Sequence, residues 1–141
     1  MEFQKIKLHR SEKRGSAVTQ ITLDDDYNVP DYRQDIVKVI KEHGELRFDE
    51  VKAMEGAAWI KGSLIFKVLY RSDKQEGKIS CLRGEIPFQE RLNMDGLSEY
   101  DAVHAVGDIE DLTVGVINSR KLNIRAVIVL TASADTEVDE E

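Results

Sequence analysis

Two runs of alternating side chains constrain this chain more than any other feature. Between Ala57 and Tyr70, the residues Ile60, Leu64, Phe66, Val68 and Tyr70 share one phase, while Lys61, Ser63, Lys67 and Arg71 fall mostly in the other. Between Leu122 and Leu130, the residues Leu122, Ile124, Ala126, Ile128 and Leu130 alternate with Asn123, Arg125, Val127 and Val129. Successive side chains of a strand point to opposite faces, so each run is a strand with one face made for a core. The length of the first run predicts the central strand of a sheet, and the second run is the final strand of the chain.

The remaining sequence supplies strands to pair with them. Ala17, Thr19, Ile21 and Leu23 share one phase after a polar opening that residues 11–16 break with turn formers. Leu46, Phe48 and the residues up to Met54 suggest a strand, which Glu55-Gly56 turns into the run beginning at Ala57. After a charged turn over residues 72–77, Ser80, Leu82, Gly84, Ile86, Phe88 and Leu92 are in phase, which predicts a hairpin. Pro87 lacks an amide for the ladder, so this strand belongs at a sheet edge or breaks there. Val103, Ala105, Gly107 and Ile109 are followed out of phase by Leu112, Val114 and Val116, the signature of a bulge near Glu110-Asp111. Residues 118–121 read as a tight turn into the last strand, and Gly62 as a bulge or a close backbone approach.

One segment reads differently. Tyr32, Ile36, Val39, Ile40 and His43 recur at helical spacing, after Pro30 and Asp31 and before Gly44. Proline in a first turn, an Asp cap with Gln34 three residues on, and a terminal glycine predict a short helix over residues 32–42. The expected fold is therefore mostly β, an antiparallel β-sandwich or partly closed sheet, with this one helix covering an opening. A single domain over residues 16–134 is expected, with residues 1–15 as an N-terminal strand and turn and residues 135–141 as an acidic tail or linker.

Composition narrows the function classes. With 20 basic and 27 acidic residues in 141, the formal charge is −7, the wrong sign for gaining affinity from nucleic-acid phosphates or anionic lipid headgroups. The single cysteine, Cys81, rules out an internal disulfide framework and fits a reducing compartment. The N-terminal residues 1–8 mix charges with apolar residues, so they offer no signal-peptide apolar region, and no run approaches the length of a membrane span. A cytoplasmic protein is the expectation, without nucleic-acid binding or membrane insertion.

The chemistry-bearing residues do not form a recognisable catalytic set. Asp24, Asp25 and Asp26, with Asp31 and Asp35 nearby, invite a calcium reading, but they lack the glycine and terminal glutamate of an EF-hand loop. His9, His43 and His104 are far apart and in no paired ligand spacing. Cys81 lies in an alternating strand rather than at a helix N-terminus that would activate it. The nine glycines are dispersed and make no phosphate loop. Carboxylate pairs such as Glu110-Asp111, or Glu85 with Glu90, are what a charged sheet produces routinely. Trp59 and Tyr70 near Lys61 and Lys67 have the ingredients of a base-stacking platform, which the net acidity opposes. No catalytic residue, cofactor or metal is expected.

Several motifs in fixed order carry a resemblance. These are residues 21–31 (Ile-Thr-Leu-Asp-Asp-Asp-Tyr-Asn-Val-Pro-Asp), residues 62–70, Ile86-Pro87-Phe88, Glu110-Asp111-Leu112, and residues 117–122 (Ile-Asn-Ser-Arg-Lys-Leu). Over residues 16–134 the chain resembles the SPOCS domain family of spore coat assembly proteins in endospore-forming clostridia. The resemblance implies a non-catalytic protein–protein interaction scaffold in spore coat assembly, in the mother cell at the forespore surface or coat. Its implied partners are spore coat proteins, with the coat morphogenetic ATPase a candidate, although the family's contact with that ATPase runs through a LysM module that these residues do not contain. Alternatives are a self-assembling coat subunit or a ligand- or metal-binding domain. Asp31, Asp111, Asn118, Ser119 and Arg120 are the candidate partner-binding residues. The guanidinium of Arg120 is expected to fork onto Asp111 internally, or else onto a partner's carboxylate.

Overall fold

The computed structural model describes residues 9–72 and 78–139. It contains six strands: β1 (His9–Asn28), β2 (Ile36–Met54), β3 (Ala57–Ser72), β4 (Ile79–Asn93), β5 (Ala102–Asn118) and β6 (Lys121–Asp139). They form two three-stranded antiparallel sheets, one in the order β1-β6-β5 and the other β2-β3-β4. The two runs that alternate best, β3 and β6, are the central strands. A central strand is paired on both edges and buried along one whole face, so its alternation must be cleanest. Ile60, Leu64, Val68 and Tyr70 from β3 face Leu122, Ile124, Ala126, Ile128 and Leu130 from β6 across the core, all fully buried.

Four local expectations are met. β4, which carries Pro87, is an edge strand. The register of β5 against β6 slips between Ile109 and Asp111, so Glu110 is the bulge. Residues Ser119 and Arg120 make the tight turn from β5 to β6. Gly62 is a close approach: a side chain there would collide with the Arg47 carbonyl, where β2 bulges at Asp49. The turn expected over residues 11–16 is instead part of β1, whose register against β6 shifts between Lys13 and Gly15. Of the charged connection expected at 72–77, Ser72 ends β3 and residues 73–77 lie outside the described residues.

The helix expected over residues 32–42 is not formed. Pro30 opens a turn closed by the Arg33 amide donating to the Pro30 carbonyl at 2.9 Å, and β2 begins at Ile36. Two bulges explain the misleading spacing. The register slips between Ile36 and Lys38 and again between Val39 and Lys41, so Ile36, Val39 and Glu42 fall opposite Ser72, Tyr70 and Val68. Each bulge adds one residue to one strand only, which turns a period of two into a period of three and mimics a helical stripe. The four β-branched residues Ile36, Val37, Val39 and Ile40 favour the extended backbone. Gly44 terminates nothing; it lies within β2.

The sheets meet along two seams, β2 beside β5 and β1 beside β4. Inward-facing glycines let them close. A Cβ on Gly44 of β2 would press on Leu112 and Ile109 of β5, and one on Gly107 of β5 would press on Leu46 and Phe48 of β2. Each strand thus gives up a side chain where its neighbour places a large one, which is how a sandwich keeps native packing density at a tapering edge.

The β2–β3 hairpin turns on Gly56, which has a φ of 76°. Its amide donates to the Leu97 carbonyl at 2.8 Å and its carbonyl accepts from Met94 at 2.9 Å, so this turn also anchors the β4–β5 connection. Left-handed backbone strains any residue with a Cβ. Gly56→Ala should therefore lower stability by about 1 kcal/mol with no steric clash, since nothing lies near the added methyl. Chemical denaturation measures this, and an unchanged midpoint would contradict it.

Candidate functional site

The end of the sandwich where β1 crosses to the other sheet gathers most of the sequence-nominated residues. The crossover, residues 29–35, lies against the β5–β6 turn. Val29 donates its amide to the Arg120 carbonyl at 2.9 Å, and Ile36 donates to the Ser119 carbonyl at 3.0 Å. Asn118 accepts the Arg120 amide on its Oδ1 at 2.8 Å, which is the side-chain-to-backbone closure an Asn favours at a turn.

Arg120 is the centre of this arrangement. Its Nη1 donates to the Arg33 carbonyl at 2.7 Å and to Asp35 Oδ1 at 3.1 Å. Its Nη2 donates to the Pro30 carbonyl at 2.8 Å and to the Val29 carbonyl at 3.3 Å. A planar guanidinium presents several donors in a fixed fork, and here it satisfies the carbonyls of an irregular segment that no ladder can reach. The expected internal ion pair exists, but its acid is Asp35 and not Asp111. Asp111 lies on the outer face of β5, where it accepts from Thr113 Oγ1 at 3.3 Å. Arg120 and Asp111 were natural partners only by nearness in sequence; the strand direction carries them apart.

Of the five candidate residues, the structure brings together Asn118, Ser119 and Arg120, places Asp31 in the turn that Arg120 holds, and leaves Asp111 outside the group. Asp31 is exposed, and next to it Tyr32 is 81% exposed, with Arg33 over its ring at 5.7 Å. Neither Tyr32 as an outward aromatic nor Asp35 as the partner of Arg120 was singled out from sequence, because the helical reading turned Tyr32 inward.

The other chemistry-bearing residues disperse. Asp24 and Asp26 both accept from Asn123 Nδ2, at 2.8 and 3.0 Å, on the outer face of the β1-β6-β5 sheet. Among the described residues no group of His, Cys, Asp and Glu could hold a metal ion. His43 and His104 lie on the outer faces of opposite sheets, Cys81 is exposed on β4, and the side chain of His9 lies outside the described residues. Trp59 points outward with Lys61 and Lys67, whereas Tyr70 is buried in the core, so the aromatic platform is divided between two faces. Glu85 pairs with Arg47 at 3.2 Å, and Arg47 also holds Asp49 of the β2 bulge at 2.9 Å. The hydrogen bonds that the Arg47 guanidinium donates to Asp49 and then to Glu85 hold its pKa above the ordinary value. Both pairs are solvent-exposed and belong to the surface fabric of the sheet.

Fold and site together define a small antiparallel two-sheet domain whose crossover is clamped by a turn arginine. A family model described as SipL, SPOCS domain, matches residues 35–117, more than half of the chain. The chain belongs to this family, and that membership implies a sporulation-related role. The matched residues run from the start of β2 to the end of β5; β1 and β6 lie outside them, although β6 is the central strand of its sheet. Comparison with curated proteins and with solved structures finds no match.

Proposed function

We propose that this domain is a non-catalytic protein–protein interaction scaffold in spore coat assembly, working in the mother-cell cytoplasm at the forespore surface. Family membership supports the setting. The observation that carries the mechanism is the clamped crossover: Arg120 fixes residues 29–35 from four acceptors, and Asp31 and Tyr32 project from the held turn. An exposed aromatic beside a carboxylate on a pre-ordered turn is a suitable anchor for a partner, because little conformational entropy remains to be lost on binding. The partners in this reading are spore coat proteins, with the coat morphogenetic ATPase among the candidates.

The test is capture from sporulating mother-cell lysate by the intact chain beside Tyr32→Ser and Asp31→Asn variants. Both residues are exposed, so the variants should keep the parent's denaturation midpoint. The parent should recover coat proteins and the Tyr32→Ser chain should lose most of that recovery. Recovery of metabolic enzymes alone, or measurable turnover by the isolated chain, would count against the scaffold reading.

A further inference from the structure

The outer faces of the two sheets differ in charge. On the β2-β3-β4 sheet, the register sets Lys41, Leu69 and Cys81 in one row across the strands, with His43, Lys67 and Arg83 on one side of it and Lys38, Arg71 and Ile79 on the other. These nine outward positions contain five permanent cations and no carboxylate, on a chain whose net charge is −7. None of the five forms an ion pair among the described residues. Leu69 and Ile79 are 37% and 55% exposed there, and Lys41, Glu42, His43, Lys67, Leu69 and Cys81 line a shallow depression.

The β1-β6-β5 sheet has the opposite character. One row is Val18, Thr131 and Val106, with the two valines 65% and 60% exposed. Beyond it lie Asp108, the bulged Glu110 and Asp111 on β5, and Asp24 and Asp26 on β1, against Arg125 and Lys121 on β6. The hydrogen bonds these acids accept come from the neutral groups of Gln20, Thr113 and Asn123, so the face stays negative. Each face therefore presents exposed apolar side chains among charges that are mostly of one sign, and the prevailing signs are opposite.

We infer that copies of this chain stack head to tail, the basic face of the β2-β3-β4 sheet of one copy against the acidic face of the β1-β6-β5 sheet of the next. The inference deepens the interaction reading above by naming a second copy as one partner, and it rests on that reading. Nucleic acid and anionic membrane are disfavoured occupants, because a particle of net charge −7 repels an extended polyanion before the patch can engage it. The chain itself carries the matching surface. Because the two faces lie on opposite sides of the sandwich, the contact is heterologous and does not close, so it builds linear stacks. A face three strands wide spans only ~14 Å across the strands, so each contact is small, and assembly is concentration-dependent.

Sedimentation of the intact chain tests this with two face variants, Lys67→Gln/Leu69→Ser for the basic side and Val106→Ser/Asp108→Asn for the acidic side. The parent should gain mass with concentration and lose it in high salt, where the screening length falls to roughly 3 Å at 1 M. Each variant should associate at least ~10-fold more weakly with itself. An equimolar mixture should stop at one-to-one pairs, since each variant keeps the face that the other lacks. A parent that is monomeric at all concentrations, or self-association that persists in the chain carrying all four substitutions, overturns the stacking. A monomeric parent that still captures coat proteins would refute the stack and leave the scaffold reading standing, whereas stacking without such capture would do the reverse.

Discussion

Gly84→Ala should destabilise this domain by about 3 kcal/mol, although it adds a single methyl group. Gly84 lies on the inner face of β4, opposite Phe66 of β3. The Phe66 ring meets Tyr27 of β1 edge to face, with centroids 5.4 Å apart and planes at 87°. A Cβ on Gly84 would lie within contact-breaking distance of Phe66 Cζ and 3.0 Å from Tyr27 Cε1. Neither ring can withdraw cheaply: Phe66 is 1% exposed, and Tyr27 is tied by its hydroxyl to the Arg83 carbonyl at 3.1 Å. The methyl must therefore separate the pair, which is worth about 1 kcal/mol beyond its buried area, and strain the β1–β4 seam as well. Urea denaturation should show a lower midpoint for Gly84→Ala. Combining it with Phe66→Leu, which vacates the ring's outer atoms, should cost less than the sum of the two single changes. A Gly84→Ala midpoint within about 0.5 kcal/mol of the parent would mean that the rings do not occupy this dent.

The same geometry explains what the sequence could and could not reveal. Ile60, Leu64, Phe66 and Val68 on β3, and the matching set on β6, announced themselves because nothing interrupts their alternation. Pro87 announced an edge, and the phase change after Ile109 announced the Glu110 bulge, because each is a local departure with one common structural cause. The second half of β2, from Leu46 to Met54, was legible as a strand, but its first half was hidden by two bulges, which set Ile36, Val39 and Glu42 three apart. The density of β-branched residues at 36–40 was the competing signal, and it was the better guide. The pairing of β1 with β6, which joins the two ends of the chain, leaves no trace in local pattern. The partner of Arg120 was illegible for the same reason: Asp35 is 85 residues distant in sequence, and only the crossover brings it near.

The candidate site was legible at the level of its turns and not of its contacts. Asn118, Ser119 and Arg120 read as a turn and form one. Pro30 and Asp31 read as a helix start, and the same residues supply a turn whose carbonyls need donors. Proline at a chain reversal and an Asp able to bond nearby amides serve either outcome, so local chemistry does not choose between them. The choice is made by a guanidinium that arrives from the other end of the chain.

That dependence sets the last expectation. Arg120→Ala should cost about 2–3 kcal/mol, because it leaves the Val29 and Arg33 carbonyls without the Arg120 donors, the Pro30 carbonyl with only the Arg33 amide, and Asp35 without its cation. Most of this cost belongs to the carbonyls. Asp35→Asn, which removes only the charge of a half-exposed pair, should cost less than about 1 kcal/mol. Arg120→Lys should recover little, since a single ammonium cannot reach acceptors on both sides of the fork. Hydrogen exchange distinguishes a local clamp from a general weakening: the Val29 and Ile36 amides, which bond the Arg120 and Ser119 carbonyls, should lose protection in Arg120→Ala before the amides of β3 and β6 do. Unchanged exchange at Val29 and Ile36 would remove the clamp. With it would go the reason for Asp31 and Tyr32 to be held in one orientation, so coat-protein capture by Arg120→Ala should fall in step with the lost protection.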